Sequence, residues 1–249
     1  LLGSAYDADS EGVEGKFYTW KYEELKNILE NDFDLLKKKY EISESGNFEG
    51  LNILVEKSNH KLTADEYDKI KKIEEKLKNI RDKRIKPFFD DKTQTDLNSY
   101  WIYSILHSSF ILDDKKLFEQ ANEYFNNLKK ILSKNVFHCY NKDRKEIDVF
   151  LEDYSYFCLL LVSMCEIKND KASIKLCSEL MKYTWENFYD EENVILQKNI
   201  KTNNDLFVKP IDIIDNNIPN GNSIFLLVCN KLFNITEDTF WEEKIINLK

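Results

Sequence analysis

The chain is poor in the residues that break helices: six glycines and three prolines in 249 positions. Long stretches therefore have nothing to interrupt helical periodicity. Arginine occurs only at Arg81, Arg84 and Arg144, net charge is −9, and no basic stripe is interleaved with aromatics. Nucleic-acid binding through the phosphate backbone is thereby disfavoured. No apolar run reaches the roughly 18 residues of a membrane span; the longest, Tyr156 to Cys165, is far shorter. The five cysteines contain no C-x-x-C pair and sit mostly among apolar neighbours, the pattern of reduced core residues in a cytoplasmic protein. No Ser-His-Asp elbow, phosphate loop or metal-ligand spacing is present, so neither cofactor nor metal is expected.

What is present suits a packed helical protein: 42% hydrophobic and 33% charged residues. Leu25, Ile28, Leu29, Phe33, Leu36 and Tyr40 mark one face of a first helix. Leu51 to Val55 reads as a short strand. Thr63 and Glu66 form a capping box that opens a second helix, which must stop before Pro87.

Beyond this point the plan repeats. Segments near 97–111, 154–166 and 222–233 are apolar almost all round and predict enclosed helices. Each is followed by an amphipathic one, near 114–132, 170–188 and 237–247. Inner and outer helices in alternation predict an all-α fold, a partial (α/α)6 toroid with short β segments in its loops. A simple bundle or solenoid is the competing plan.

Each enclosed helix is approached through a polar motif: Pro87-Phe-Phe-Asp-Asp-Lys-Thr-Gln-Thr-Asp96, Leu151-Glu-Asp-Tyr154 and Ile218-Pro-Asn-Gly-Asn-Ser223. If the inner helices run parallel, these approaches share one mouth, with free N–H groups directed at it. Asp96, Asp153, Asn220 and Ser223 are also ordinary helix-capping types, and that plainer use stands beside the functional one. The opening run SAYDADSEGVEGKFYTW adds Asp7, Asp9, Glu11 and Glu14. It starts like a calcium loop, but Tyr18 stands where a bidentate glutamate is needed. Two carboxylates about 6 Å apart at an effective dielectric of about 20 repel by about 3 kcal/mol, so each needs a partner or a proton. Arg81 and Arg84 are expected to pin the Asp90-Asp91 loop. His107 reads as a satisfied core residue, and His60, His107 and His138 all lie outside the approach motifs.

Several of these motifs, in this order, resemble the thioredoxin-domain-containing proteins of the YyaL and spermatogenesis-associated type. They are SAYDADSEGVEGKFYTW, Gly46-Asn-Phe-Glu-Gly50 with Asn52-Ile-Leu, Arg81-x-x-Arg84-x-x-Pro87-x-x-Asp90-Asp-Lys92, Leu151-Glu-Asp-Tyr154 and Pro219-x-Gly-Asn-Ser223. The resemblance implies a six-hairpin α/α toroid like those of glycosidases and sugar epimerases. It implies that residues 1–249 are one incomplete toroid, with the thioredoxin-like domain and first hairpins absent or supplied by another chain. Departures occur at Leu97-Asn98, Glu191-Glu-Asn193 and Asp215-Asn-Asn-Ile218, as in a diverged copy.

The function expected on these grounds is binding of a sugar-like small molecule, with glycosidase-like or epimerase-like chemistry on carboxylates. Asp7, Asp9, Asp91 and Asp153 are the catalytic candidates. Asp7 or Asp9 would pair with one of Asp90, Asp91, Glu152 or Asp153. Glu11, Glu14, Asp90, Lys92, Asn98, Glu152, Tyr154, Asn220 and Asn222 are the ligand-binding candidates. The alternative is a non-catalytic helical partner of a thioredoxin-like module in redox or protein-quality work.

Overall fold

The computed structural model describes residues 1–140, 148–200 and 210–248. They form two compact units, Ala5–Asp90 and Leu1–Ser4 with Asp91–Lys249.

In the smaller unit, α1 (Tyr22–Leu29), a 3-10 turn (Glu30–Asp32), α2 (Phe33–Lys39) and α3 (Ala64–Arg81) enclose Trp20, Leu25, Leu29, Phe33, Leu36, Ile70, Ile73 and Leu77. The single first helix expected from periodicity is broken at Glu30, whose φ is 46°. Asn31 and Asp32 compete with the backbone for hydrogen bonds and weaken the helix there, while Leu29 and Phe33 keep their face to the core. Thr63 and Glu66 make the reciprocal cap. The expected strand over 51–55 shrinks to Val55–Glu56, paired with Tyr40–Glu41, and two isolated bridges, from Leu51 to Phe48 and from Asn52 to Trp20.

The acidic opening run is a tight hairpin. Asp9–Ser10 pairs with Val13–Glu14 across Glu11 and Gly12, both at positive φ. Glu11 finds its charge partner in Lys16 at 2.9 Å, and the Asp7 carboxylate accepts the Asp9 N–H. Arg84 does not serve the Asp90-Asp91 loop as expected. It donates to the carbonyls of Phe17 and Thr19, pairs with Glu24 at 3.0 Å, and lies 4.0 Å over the Trp20 ring. Arg81 rests over the Phe17 and Tyr18 rings. The arginines secure the end of the opening run because its carbonyls and rings face them directly.

The larger unit is three α-hairpins: α4 (Thr95–Ile111) with α5 (Lys115–Leu132), α6 (Leu151–Lys168) with α7 (Lys171–Phe188), and α8 (Gly221–Thr236) with α9 (Thr239–Asn247). Helix α6 packs on both α4 and α8, and each of these inner helices packs on its own outer partner. From Asp153 to Cys165 every residue of α6 is buried, as an apolar surface on all sides requires. This alternation is the plan of an (α/α)6 toroid, in an all-α protein with short two-residue strands in its loops.

The outer helices start alike, with Asp114, Asp170 and Asp238 accepting N–H bonds as caps. At Asp170 the Ser173 hydroxyl and the Lys129 ammonium also donate, and together they hold the carboxyl down at about 2. Asp170→Ala is expected to cost about 1 kcal/mol of stability, the usual loss of a cap. A carboxyl depressed by folding contributes above its unfolded pKa near 4 and ceases to contribute as pH falls toward 2. Urea unfolding of wild type and variant at pH 7 and pH 3 should therefore show the gap closing at the lower pH.

Among the described residues, no helix is long and apolar enough to cross a membrane. All five cysteines are unbridged and buried.

Candidate functional site

Two short ladders carry side chains to the starts of the inner helices. Thr93–Gln94 pairs with Cys139–Tyr140, and the Thr95 N–H and hydroxyl donate to the carbonyls of His138 and Phe137. His138 is thereby fixed at the head of α4. Tyr189–Asp190 pairs with Ile195–Leu196, after which the Lys198 carbonyl accepts the Leu151 N–H at the head of α6. The Asn222 amide at the head of α8 brackets the Leu196 backbone and reaches the Asp212 carbonyl.

The three inner-helix N-termini meet around one cavity of about 280 Å³. Its polar wall includes Asp96, His138, Glu152, Lys198, Asp212 and Asn220, and its apolar wall includes Phe150, Ile214 and Ile218. Free N–H groups and the positive ends of the helix dipoles favour ligand oxygens at such a place.

Beneath the wall lies Asp153, with no exposed surface. Its carboxylate accepts the Phe150 N–H at 2.9 Å, satisfying the N-cap amide of α6, and meets His138 Nδ1 at 3.1 and 3.2 Å. Burial raises Asp153 to about 6, against the pull of the imidazole hydrogen bond. Asp96, in the first turn of α4, accepts its neighbour Leu97's N–H. One ligand-type atom from each of Asp96, His138 and Asp153 lies within 4.8 Å of the other two.

Glu152 differs from its neighbours. Its Oε2 is buried with no hydrogen-bond partner among the described residues, and burial pushes its pKa up. Gly221 makes room for it, since a Cβ there would stand 2.9 Å from the Leu151 side chain and 3.1 Å from Glu152 Oε1. Lys198 is committed to Asp212 at 2.8 Å, and that bond raises its pKa.

Of the residues singled out in the sequence, Asp96, Glu152 and Asn220 line the cavity and Asp153 underlies it. Asn220 caps α8 and is held by Asp215. Asp91 and Lys92 are exposed and outside the lining. Asn98 is bound to the Leu2 backbone and the Gln94 carbonyl. Tyr154 packs against the rings of Tyr183 and Phe188. Asp7, Asp9, Glu11, Glu14 and Asp90 belong to the smaller unit, where Glu11 borders a separate cavity of about 460 Å³ with Lys16, Lys21, Glu24 and Arg84.

Local sequence gave no hint of His138, which lies outside every approach motif; only the ladder from Thr93–Gln94 places it against Asp153. His107, expected to be satisfied, instead has a buried Nε2 without a partner among the described residues. Burial lowers its pKa, so the ring sits neutral beside Tyr103 at 4.3 Å.

No family model matches the chain, and no curated protein matches it. Solved structures do. One is an inactive variant of the alpha-1,6-mannanase GH76A of Salegentibacter sp. in complex with alpha-1,6-mannotriose: 12% identity, TM-score 0.51, covering 75% of this chain and 53% of that one. Another structure of the Salegentibacter enzyme matches at 12% identity and TM-score 0.50 over 90% of this chain and 69% of that one. A GH76 alpha-mannanase of Bacteroides thetaiotaomicron matches at 11% identity and TM-score 0.52, over 64% and 43%. At such identity the likeness is one of fold: this chain shares the alternating inner- and outer-helix architecture of an (α/α)6 toroid. It spans about half the length of the first of these structures.

Proposed function

We propose that the larger unit binds a neutral, polyhydroxylated, sugar-like ligand in the cavity at the head of α4, α6 and α8, and acts on it with carboxylates. The observation that carries this reading is the meeting of three inner-helix N-termini, with Asp96 and Glu152, around one cavity. The glycosidase-like architecture supports it by analogy of fold. Glu152 is the group proposed to meet the glycosidic oxygen, because it lines the cavity and its Oε2 has no hydrogen-bond partner among the described residues. Asp96 is the proposed second carboxylate. Asp7, Asp9, Asp91 and Asp153 stand as further catalytic candidates, each within its own unit. The fold neighbour inactivated by changing two consecutive aspartates to asparagine gives a parallel for the adjacent pair Glu152-Asp153.

Saturation-transfer NMR with alpha-1,6-mannotriose, alongside glucose- and N-acetylglucosamine-based trisaccharides, tests the proposal. Transfer to at least one, abolished by a bulky side chain at Gly221, is the expected result. Absence of transfer to every saccharide would overturn it.

The motif run from Ser4 to Ser223 supports a second reading, in which residues 1–249 are one incomplete toroid serving a thioredoxin-like module without catalysis. A thioredoxin-like segment translated directly upstream would favour it. Five unbridged, buried cysteines support a reducing, cytoplasmic setting.

A further inference from the structure

We propose that Asp96, His138 and Asp153 form a binding site for a single divalent transition-metal cation of the zinc or manganese type, opening into the cavity of the larger unit. The inference does not depend on the sugar reading. It begins with the donor set. One imidazole and two carboxylates, from the heads of α4 and α6 and the segment between α5 and α6, present one ligand atom each within 4.8 Å of one another. Imidazole nitrogen with carboxylate oxygen suits zinc and manganese better than calcium or magnesium, which take oxygen alone. Three protein ligands with a fourth position facing open space is the pattern of a reactive metal site, not a structural one.

Charge balance points the same way. Asp96, Asp153 and Glu152 bring three carboxyl groups to one small volume. The ammonium of Lys198, which shares the cavity wall, is spent on Asp212 at 2.8 Å. Glu152 Oε2 is buried and has no hydrogen-bond partner among the described residues, so the Lys198 ammonium leaves this carboxyl unbonded. A divalent cation held by Asp96 and Asp153 would cancel their charge where water does not reach Asp153.

The geometry needs only a small adjustment. Ligand atoms around a zinc ion with bonds of about 2.1 Å stand about 3.4 Å apart in a tetrahedron. His138 Nδ1 and Asp153 Oδ1 are already at 3.1 Å. Asp96 has to close by at most about 1.5 Å, a rotation open to a half-buried first-turn side chain that accepts its neighbour's N–H. Cation binding at Nδ1 would take the place of the hydrogen bond between that atom and Asp153. Asp96 and His138 both line the cavity and provide the way in.

Isothermal titration of the chelator-stripped full chain with zinc chloride and, separately, manganese chloride tests this, with calcium chloride as the contrast. The expected result is one equivalent of zinc or manganese bound, weakened at least about tenfold in both Asp96→Asn and His138→Gln, with calcium weaker than either. Asp153 is left unaltered because it also caps α6. Circular dichroism of each variant distinguishes lost ligation from lost folding, and Asp96→Asn keeps the oxygen that accepts the Leu97 N–H. No saturable binding of either metal would overturn the proposal. So would unchanged affinity in the two folded variants, which would place the ion elsewhere. Saccharide binding measured on the same stripped protein separates failure here from failure of the sugar reading.

Discussion

Glu152→Gln is expected to lower any saccharide-cleaving activity by about 10²–10⁴-fold while leaving ligand binding within a few fold, because the amide keeps the shape and loses the proton to be transferred. Few positions in the chain isolate chemistry from stability so well. Glu152 Oε2 has no hydrogen-bond partner among the described residues, and a glutamine keeps an oxygen able to accept the backbone N–H that the carboxyl now takes. Glu152 Oε1 lies over Gly221, where a Cβ would come within 3.1 Å of it, and Gln occupies nearly the same volume there. Reducing-end release from an alpha-1,6-mannooligosaccharide, followed by chromatography beside saccharide binding by NMR, checks the split. A variant that cleaves at the wild-type rate would remove Glu152 from the mechanism, and one that unfolds would show that the carboxyl has a structural duty.

The second large effect is on stability. Phe188→Ala should destabilise the larger unit by about 3–5 kcal/mol, in the range for a phenyl ring deleted from a closed core. Phe188 is the last residue of α7 and has no exposed surface. Its ring meets Tyr154 of α6 edge-on at 5.7 Å, and its carbonyl accepts the Gln197 N–H that begins the run toward Lys198. The cavity left by truncation lies between an inner helix and its outer partner, where the apolar residues of α6 cannot move in without losing their own neighbours. Phe188→Leu refills most of the volume and should cost about 1 kcal/mol. Thermal unfolding should show the alanine variant melting at least about 6 °C below wild type, with the leucine variant in between. Equal midpoints for alanine and wild type would mean that α7 does not close over α6 at this end.

The alternation of inner and outer helices was legible in the chain itself, because burial on all sides and burial on one side leave different residue patterns. Phe157-Cys-Leu-Leu-Leu-Val162 has no polar face to offer water; Lys115–Leu132 keeps one throughout. Caps were legible for the same local reason, since Thr63 and Glu66 bond to backbone only three residues away. The break at Glu30 was harder to read, as apolar spacing continues across it while the backbone departs from helical angles at one residue.

Local pattern also identified Glu152, Asp153 and Asn220 as members of helix-leading motifs, each defined within a few residues. What it could not assign was company. His138 meets Asp153 because a two-residue ladder joins Thr93–Gln94 to Cys139–Tyr140, and Lys198 meets Asp212 because the chain returns past the head of α6. These pairings join residues distant along the chain through ladders too short to leave an alternating pattern. Periodicity records which side of a helix is buried, whereas the chemistry of this cavity depends on which loops fold back over three helix ends, and that is decided only when the hairpins pack.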